Sequence, residues 1–289
     1  MIFSFIGKHK EYAVAKWVKF FRLSRSGYYA YELRKEERKA KKEALKTKIK
    51  RIFEESEGSY GPGRICGLLR KANEKASYGR INGYMCEMGL SSVHNRHRTR
   101  SLTDSRKSRG EGYPNLVRGE SIEMVYQAVS SDITYLKSIE GWLYLCVVRD
   151  IKTGEILGEA TSANMKRELV IRAFLNAQAR HNLRDTIFHS DRGSQYTSKE
   201  FRDTLQMYGM KQSFSRVGMP GDNAWSESFF ATLKKECIHF RSFSTREELR
   251  HTVFTWIENF YNTRRVQAKL GYLSPRDYAA SLKTNEQAA

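Results

Sequence analysis

Three acidic side chains in this sequence have neighbours that suit metal-assisted chemistry on a phosphodiester. Asp132 lies in Ser131-Asp132-Ile133-Thr134-Tyr135-Leu136, and Asp191 in His189-Ser190-Asp191-Arg192-Gly193-Ser194-Gln195-Tyr196. Glu227 lies in Asp222-Asn223-Ala224-Trp225-Ser226-Glu227-Ser228-Phe229-Phe230. The 35 residues 192–226 separate the last two acids, and Lys234 follows Glu227 by seven positions. Cleaving a phosphodiester needs an activated water and a stabilised leaving oxygen, which two Mg²⁺ ions about 3.5–4 Å apart supply together. Mg²⁺ favours carboxylate oxygens, water and phosphate, so two aspartates and a glutamate meeting in space would form its ligand set. Asp132 would bridge the ions while Asp191 and Glu227 each hold one, and Mn²⁺ should substitute. An acid–base pair of the glycosidase kind would leave the third acid and Lys234 without a task.

The elements around each acid have to bring it to that meeting point. Asp132 interrupts an otherwise apolar strand, residues 129–136, and an unpaired buried charge is costly, so a cation is expected nearby. Asp191 follows the end of a short strand, 186–189, the edge at which open sheets place their ligands. Gly193 and Ser194 behind it permit close backbone approach. Glu227 falls in the first turns of a helix whose buried side carries Phe230 and Leu233. Lys234, two turns on, shares its face and could meet a DNA phosphate beside the ions.

Strands are expected at 126–137, 142–150, 155–160, 186–189 and 211–215, with turns at Gly141 and at Lys152-Thr153-Gly154. Helices are expected at 165–181, 198–207, from an Asp222 or Asn223 cap to about His239, and at 245–261, followed by a basic tail. A flexible loop is expected at 218–221. Strands that meander and then alternate with helices imply an α/β mixed sheet flanked by helices.

The front of the chain differs in kind. Residues 1–110 hold 27 Lys and Arg against 11 Asp and Glu, whereas residues 111–289 hold 24 against 21, so nearly all of the +19 net charge sits in the first part. Such a front suits a polyanion, and no apolar run is long enough to span a membrane. Helices are expected at 12–19 and, from a Ser24 cap, through Tyr31, as in a helix-turn-helix that presents Arg25 and Tyr28 to a DNA groove. A separate charged helix at 35–55 and a second small helical module at 56–92, carrying Arg64, would follow. Periodicity then vanishes, and Arg96, Arg98 and Arg100 read as a basic linker able to track phosphates. The expected domains are therefore a helix-turn-helix at 1–34, a charged helix with a second DNA-binding module at 35–93, the linker at 94–118, and a catalytic core with a helical tail at 119–289. Cys66, Cys86, Cys146 and Cys237 contain no Cys-x-x-Cys pair and fit a reducing cytosol. The short apolar start has no signal-peptide cleavage pattern, so a cytoplasmic protein is expected.

The blocks around the three acids, together with Ser24-Arg25-Ser26-Gly27-Tyr28-Tyr29, Tyr60-Gly61 with Arg64-Ile65, and Tyr261-Asn262-x-x-Arg265, resemble OrfB-type DDE transposases of the bacterial insertion-sequence-three family. Their core is similar to that of retroviral integrase. The resemblance covers nearly the whole chain and implies an RNase H-like fold with Asp132, Asp191 and Glu227 as catalytic metal ligands. It implies metal-dependent hydrolysis at the ends of an insertion sequence, then attack by the freed 3′-hydroxyl on another phosphodiester. The implied partners are double-stranded DNA at element ends and target, further copies of the chain, and OrfA, sometimes as an OrfA–OrfB fusion. Two positions depart from the family pattern: Val129 stands where Trp is usual, and Gln267 where His is usual. Both departures should affect packing or efficiency before chemistry. The alternative function is a catalytically inactive DNA-binding regulator or decayed copy, and a third is an RNase H-like nuclease indifferent to terminal sequence.

Overall fold

The computed structural model describes residues 2–9, 11–95, 114–216 and 220–288. Two compact units divide the chain, residues 1–66 with 76–91 and residues 67–75 with 92–289. Arg96, Arg98, Arg100, most of the expected linker and Gly218 lie outside the described residues.

In the first unit, α1 (Ile2–Lys8) and α2 (Val14–Phe20) pack on the start of α3 (Arg25–Glu55). Their shared core is Ile6, Val18 and Tyr28, with Phe3, Val14, Trp17, Phe21 and Leu23 around it. The Ser24 hydroxyl caps α3 by accepting the Gly27 N–H at 3.0 Å. The expected break after Tyr31 is absent, and α3 is one helix of 31 residues. No Gly or Pro follows Gly27 within it, and its Glu, Lys, Arg, Ala and Leu are strong helix formers. Ion pairs such as Arg51–Glu55 support its exposed side. The helix α4 (Pro62–Lys71) starts on a proline, which lacks the N–H a first turn leaves unused. Glu87, in the last turn of α5 (Tyr78–Glu87), meets Lys42 and Lys46 of α3 at 2.8 and 2.9 Å.

The second unit is built on a five-stranded mixed sheet, as the α/β reading expects. Its strands are β1 (Ala128–Ser138), β2 (Gly141–Asp150), β3 (Ile156–Ser162), β4 (Ile187–Ser190) and β5 (Lys211–Phe214), in the order β3-β2-β1-β4-β5. β1, β2 and β3 meander antiparallel, whereas β4 and β5 run parallel to β1 and to each other. The helices α6 (Arg167–His181) and α7 (Lys199–Met207) cover one face, burying Val129, Cys146, Val148, Leu157, Phe174, Phe188 and Phe201. Gly158 makes that contact possible, because a Cβ there would stand 2.4 Å from the Ala177 backbone nitrogen of α6. The other face receives α8 (Ala224–Leu233), extended by a π-helical turn at Lys234–Ile238, and α9 (Arg246–Trp256), extended likewise at Ile257–Tyr261.

The expected basic tail is folded. Gln267 bridges Leu273, and α10 (Pro275–Ala288) follows. Ser274 accepts the Asp277 N–H at 3.2 Å and donates to the Asp277 carboxylate at 2.8 Å. Ser followed by Pro at the first helical position is a start signal, outweighed in the sequence reading by the surrounding charge. Asn262 finishes the free edge of β3, its amide accepting the Ile156 N–H and donating to the Ile156 carbonyl, both at 2.9 Å. Among the described residues, no helix is long and apolar enough to cross a membrane.

Glu236, in the π-helical turn after α8, is buried and receives two bonds of 2.7 Å from Arg265 and one contact of 2.5 Å from His94 Nε2. Burial alone would raise its carboxyl, but the bonds from Arg265 and His94 prevail and bring it from 4.5 down to about 2. A carboxyl that titrates lower folded than unfolded stabilises the fold fully above the unfolded value and loses that contribution as pH falls through the folded one. Glu236→Gln, which strands the Arg265 charge in the interior, should cost about 3–5 kcal/mol at neutral pH. Urea unfolding of both proteins should show that gap closing as the pH falls below 4.5 toward about 2, and a gap independent of pH would contradict the ion-pair account.

Candidate active site

Asp132 sits in mid-β1 opposite Val147. Its Oδ1 accepts the Ile133 N–H at 2.8 Å. Burial pushes its carboxyl up to about 7; the charge of Asp191 adds to the rise and that of Glu227 adds less, while the Ile133 N–H and Lys234 oppose it. Asp191 stands immediately past β4, its Oδ1 accepting the Gly193 N–H at 3.0 Å. One side of Asp191 is open to solvent, yet the protein on the other side desolvates its carboxyl and raises it. Glu227, in the first turn of α8, is exposed and is likewise raised by partial burial. Lys234 is half-buried; burial lowers its ammonium and Asp132 opposes that shift. The three acids and Lys234 thus share one electrostatic neighbourhood, which supplies the cation expected beside Asp132.

The donor set contains only carboxylate oxygens, the chemistry that hard divalent cations prefer. Three negative charges are opposed there by the single charge of Lys234, so a divalent ion would relieve the repulsion at Asp132. Among the described residues, no three His, Cys, Asp or Glu side chains are grouped so that they could hold a metal ion as they stand. The exposure of Asp191 and Glu227 leaves their side chains room to turn inward.

Buried polar contacts hold the elements that carry these acids. His189, the penultimate residue of β4, meets the Ser213 hydroxyl at 2.9 Å through Nδ1, and the Ser215 hydroxyl at 3.1 Å and the Asp222 carbonyl at 3.0 Å through Nε2. Burial lowers its imidazole, so it ties β4 to β5 and to the approach of α8 as a neutral ring. The Ser226 hydroxyl donates to Ser130 at 3.2 Å, pinning the first turn of α8 to β1 one residue from Glu227. The buried Tyr196 hydroxyl meets Ser131 at 3.0 Å and secures the loop after Asp191. These positions were missed in the sequence reading, although the paired serines before Asp132 in an otherwise apolar strand were their visible signal.

Other expected residues land differently. Neither Asp222 nor Asn223 caps α8 through its side chain. The Asp222 carboxylate instead receives the Arg216 guanidinium at 3.0 and 3.1 Å, whose bonds draw its carboxyl down to about 2. A guanidinium is a stronger partner than a backbone N–H. Tyr28, expected in a DNA groove, is only 7% exposed and packs with Ile6 and Val18; the neighbouring Tyr29 is the exposed ring. Arg25 opens α3 and is exposed. Arg64 in α4 is half-buried, its Nη1 donating to the Ser59 carbonyl at 3.3 Å. Val129 is fully buried in the sheet core. Gln267, where the family pattern has His, has no hydrogen-bond partner for its buried Nε2 among the described residues.

Removing one of three mutually repelling charges should stabilise the metal-free fold. Asp132→Asn is expected to raise the melting temperature by a few degrees at about pH 8, equivalent to about 1 kcal/mol. Added Mg²⁺ should then stabilise the wild type more than the variant. A variant that melts lower in metal-free buffer would show that Asp132 carries no such repulsion.

The Integrase core domain family matches residues 123–220, which contain Asp132 and Asp191, and a second Integrase core domain family matches residues 208–275, which contain Glu227. An HTH-like domain matches residues 40–98. The transposase for insertion sequence element IS904 of Lactococcus lactis subsp. lactis (strain IL1403) is 36% identical over 252 residues, 85% of this chain and 97% of that protein. Transposase InsF for insertion sequence IS3A of Escherichia coli (strain K12) is 32% identical over 289 residues, 96% of this chain and 98% of that protein. A 31 kDa protein of insertion element IS600 from Shigella sonnei is 34% identical over 258 residues, 88% of this chain and 94% of that protein. With an integrase core, an HTH-like domain and relatives matched over almost their full length, the chain belongs to the IS3 family of insertion-sequence transposases.

Proposed function

We propose that this DNA transposase cleaves the ends of its insertion sequence and joins them to target DNA, using two divalent ions held by Asp132, Asp191 and Glu227. What supports this reading is that the charges of Asp191 and Glu227, carried on separate elements, reach Asp132 and with burial lift its carboxyl to about 7. Ions bound there would activate a water and neutralise charge on the leaving oxygen. Mg²⁺ suits the oxygen donors, and Mn²⁺ should replace it. In this reading Asp132, in mid-β1, would be shared by the ions, and Asp191 and Glu227 would each hold one. Lys234 would contact a phosphate of the bound strand. The same groups would serve both steps, with water as the first nucleophile and the freed 3′-hydroxyl as the second.

The first 110 residues, with 27 Lys and Arg against 11 acids, supply the DNA affinity. Arg25 and Arg64 are proposed phosphate contacts within them. Domain limits at 34, 93 and 118 remain our proposed division of labour between DNA-binding modules, basic linker and core. Copies of the chain would act together on paired ends, alone or with OrfA, in the bacterial cytoplasm at the nucleoid.

Strand transfer with oligonucleotides carrying the element's ends and Mg²⁺ tests the catalytic assignment. Glu227→Gln should lower the rate by more than about a hundredfold while DNA binding persists. Activity that survives the substitution would remove Glu227 from the site, and inactivity of both proteins would favour a DNA-binding regulator. Affinity for DNA should fall by about a thousandfold or more between about 50 and 200 mM salt, as counterions return to the phosphates. A flat salt response would contradict the basic first half as the anchor.

A further inference from the structure

The hairpin formed by β1 and β2 extends past the end of β4. β4 pairs with β1 only at Ala128, Ser130 and Val129 between them, whereas β2 accompanies β1 as far as Ser138 and Gly141. From Asp132 onward, β1 therefore has no neighbouring strand on the β4 side. Two large rings sit on this overhang, Tyr135 and Trp142, each 46% exposed. Their centroids are 5.2 Å apart and their planes perpendicular, a corner that leaves ring surface for a third planar group. Lys234 reaches the same place, with Nζ 5.1 Å from the Tyr135 centroid, and its charge is also felt at Asp132. One lysine thus connects the ring pair to the carboxylates.

The overhang is held firmly. Arg246, which opens α9, donates to the Trp142 carbonyl at 3.0 Å and to the Glu140 carboxylate at 2.9 Å. The Ile139 N–H donates to the Phe243 carbonyl at 2.9 Å. Gly141 turns the hairpin at φ +135°, and a Cβ there would stand 2.6 Å from Arg246 Nη2. A braced pair of exposed rings beside a lysine has the chemistry that recognises single-stranded nucleic acid, with bases stacking on aromatic faces and a cation meeting the phosphate.

We propose that Tyr135 and Trp142 form a stacking platform for an unpaired base of the DNA end, with Lys234 binding the adjoining phosphate. The proposal rests on the catalytic reading of Asp132, Asp191 and Glu227 and extends it to how the end is presented. Tyr135 lies three residues along β1 from Asp132, about 10 Å along the strand and on the opposite face of the sheet, and Lys234 interacts with both. The captured base therefore lies a few nucleotides from the scissile phosphate, and the transposase recognises a frayed end in preference to a fully paired one.

The test uses the full-length protein and duplexes carrying the element's own end, either fully paired or mismatched over the nucleotides nearest the cleavage point. A 2-aminopurine at each of those nucleotides reports stacking through quenching of its fluorescence. The wild type should quench one of them and bind the mismatched end more tightly than the paired one. Trp142→Ala should lose that quenching and bind the mismatched end about tenfold more weakly, while Trp142→Phe should keep most of both. Tyr135→Leu should behave like Trp142→Ala, which covers the case in which one variant fails to fold. Equal quenching and affinity in wild type and folded variants would overturn the proposal. So would unchanged quenching with an altered oligomeric state by light scattering, which would make the rings an interface between copies. Quenching that persists in Glu227→Gln separates the platform from catalysis, since it can hold even if strand transfer is absent from both proteins.

Discussion

Like charges must be brought together before this chain can do its chemistry, and the fold works against their repulsion. Asp132 is fixed in the centre of a sheet, where burial and the charges of Asp191 and Glu227 all disfavour its ionised form. The Ile133 N–H and Lys234 oppose them, and Lys234 is itself half-desolvated. Such a cluster stores unfavourable energy that a bound divalent ion would release, so affinity for an ion and instability of the metal-free site would have one origin.

Much of the surrounding structure consists of devices that keep the acids in place despite that repulsion. His189 joins β4, β5 and the segment leading into α8 as a neutral ring, adding no charge of its own. Ser226 on Ser130 fixes α8 to β1. Farther out, Arg265 and His94 converge on Glu236 immediately after α8, and Asn262 closes the edge of β3. The C-terminal block Tyr261-Asn262-x-x-Arg265 is therefore structural, bracing the helix that carries Glu227 and Lys234. Beside it, the buried Gln267 Nε2 has no hydrogen-bond partner among the described residues.

The sheet was legible because its strands are apolar runs of the right length between turn residues. Residues 142–150 form a nearly continuous hydrophobic stretch, and buried central strands read that way. The three acids were legible because each breaks a local expectation: a charge within an apolar strand, an acid at a strand end, and an acid at a helix start. The errors arose where a local signal met a competing partner. Asp222 and Asn223 look like caps, but Arg216 takes the Asp222 carboxylate. Tyr28 looks like a reading-head aromatic, but α1 and α2 bury it. The tail at 262–288 looks like solvated charge, although Ser274 and Pro275 start a helix there.

By itself, the sequence carried the strands, most of the helices, the acids that stand out from their surroundings and the charge asymmetry, because periodicity, turn chemistry and residue type act over a few positions. It also determined family membership, through blocks that remain recognisable across the whole length. Tertiary structure alone decided which side chains meet. The charges of Asp191 and Glu227 reach Asp132 because β4 lies parallel to β1 and α8 packs on that strand, and the rings of Tyr135 and Trp142 meet because β1 and β2 pair in this register. Distances between residues far apart in the chain depend on strand order and register, which are set by packing of the whole core and not by any one segment.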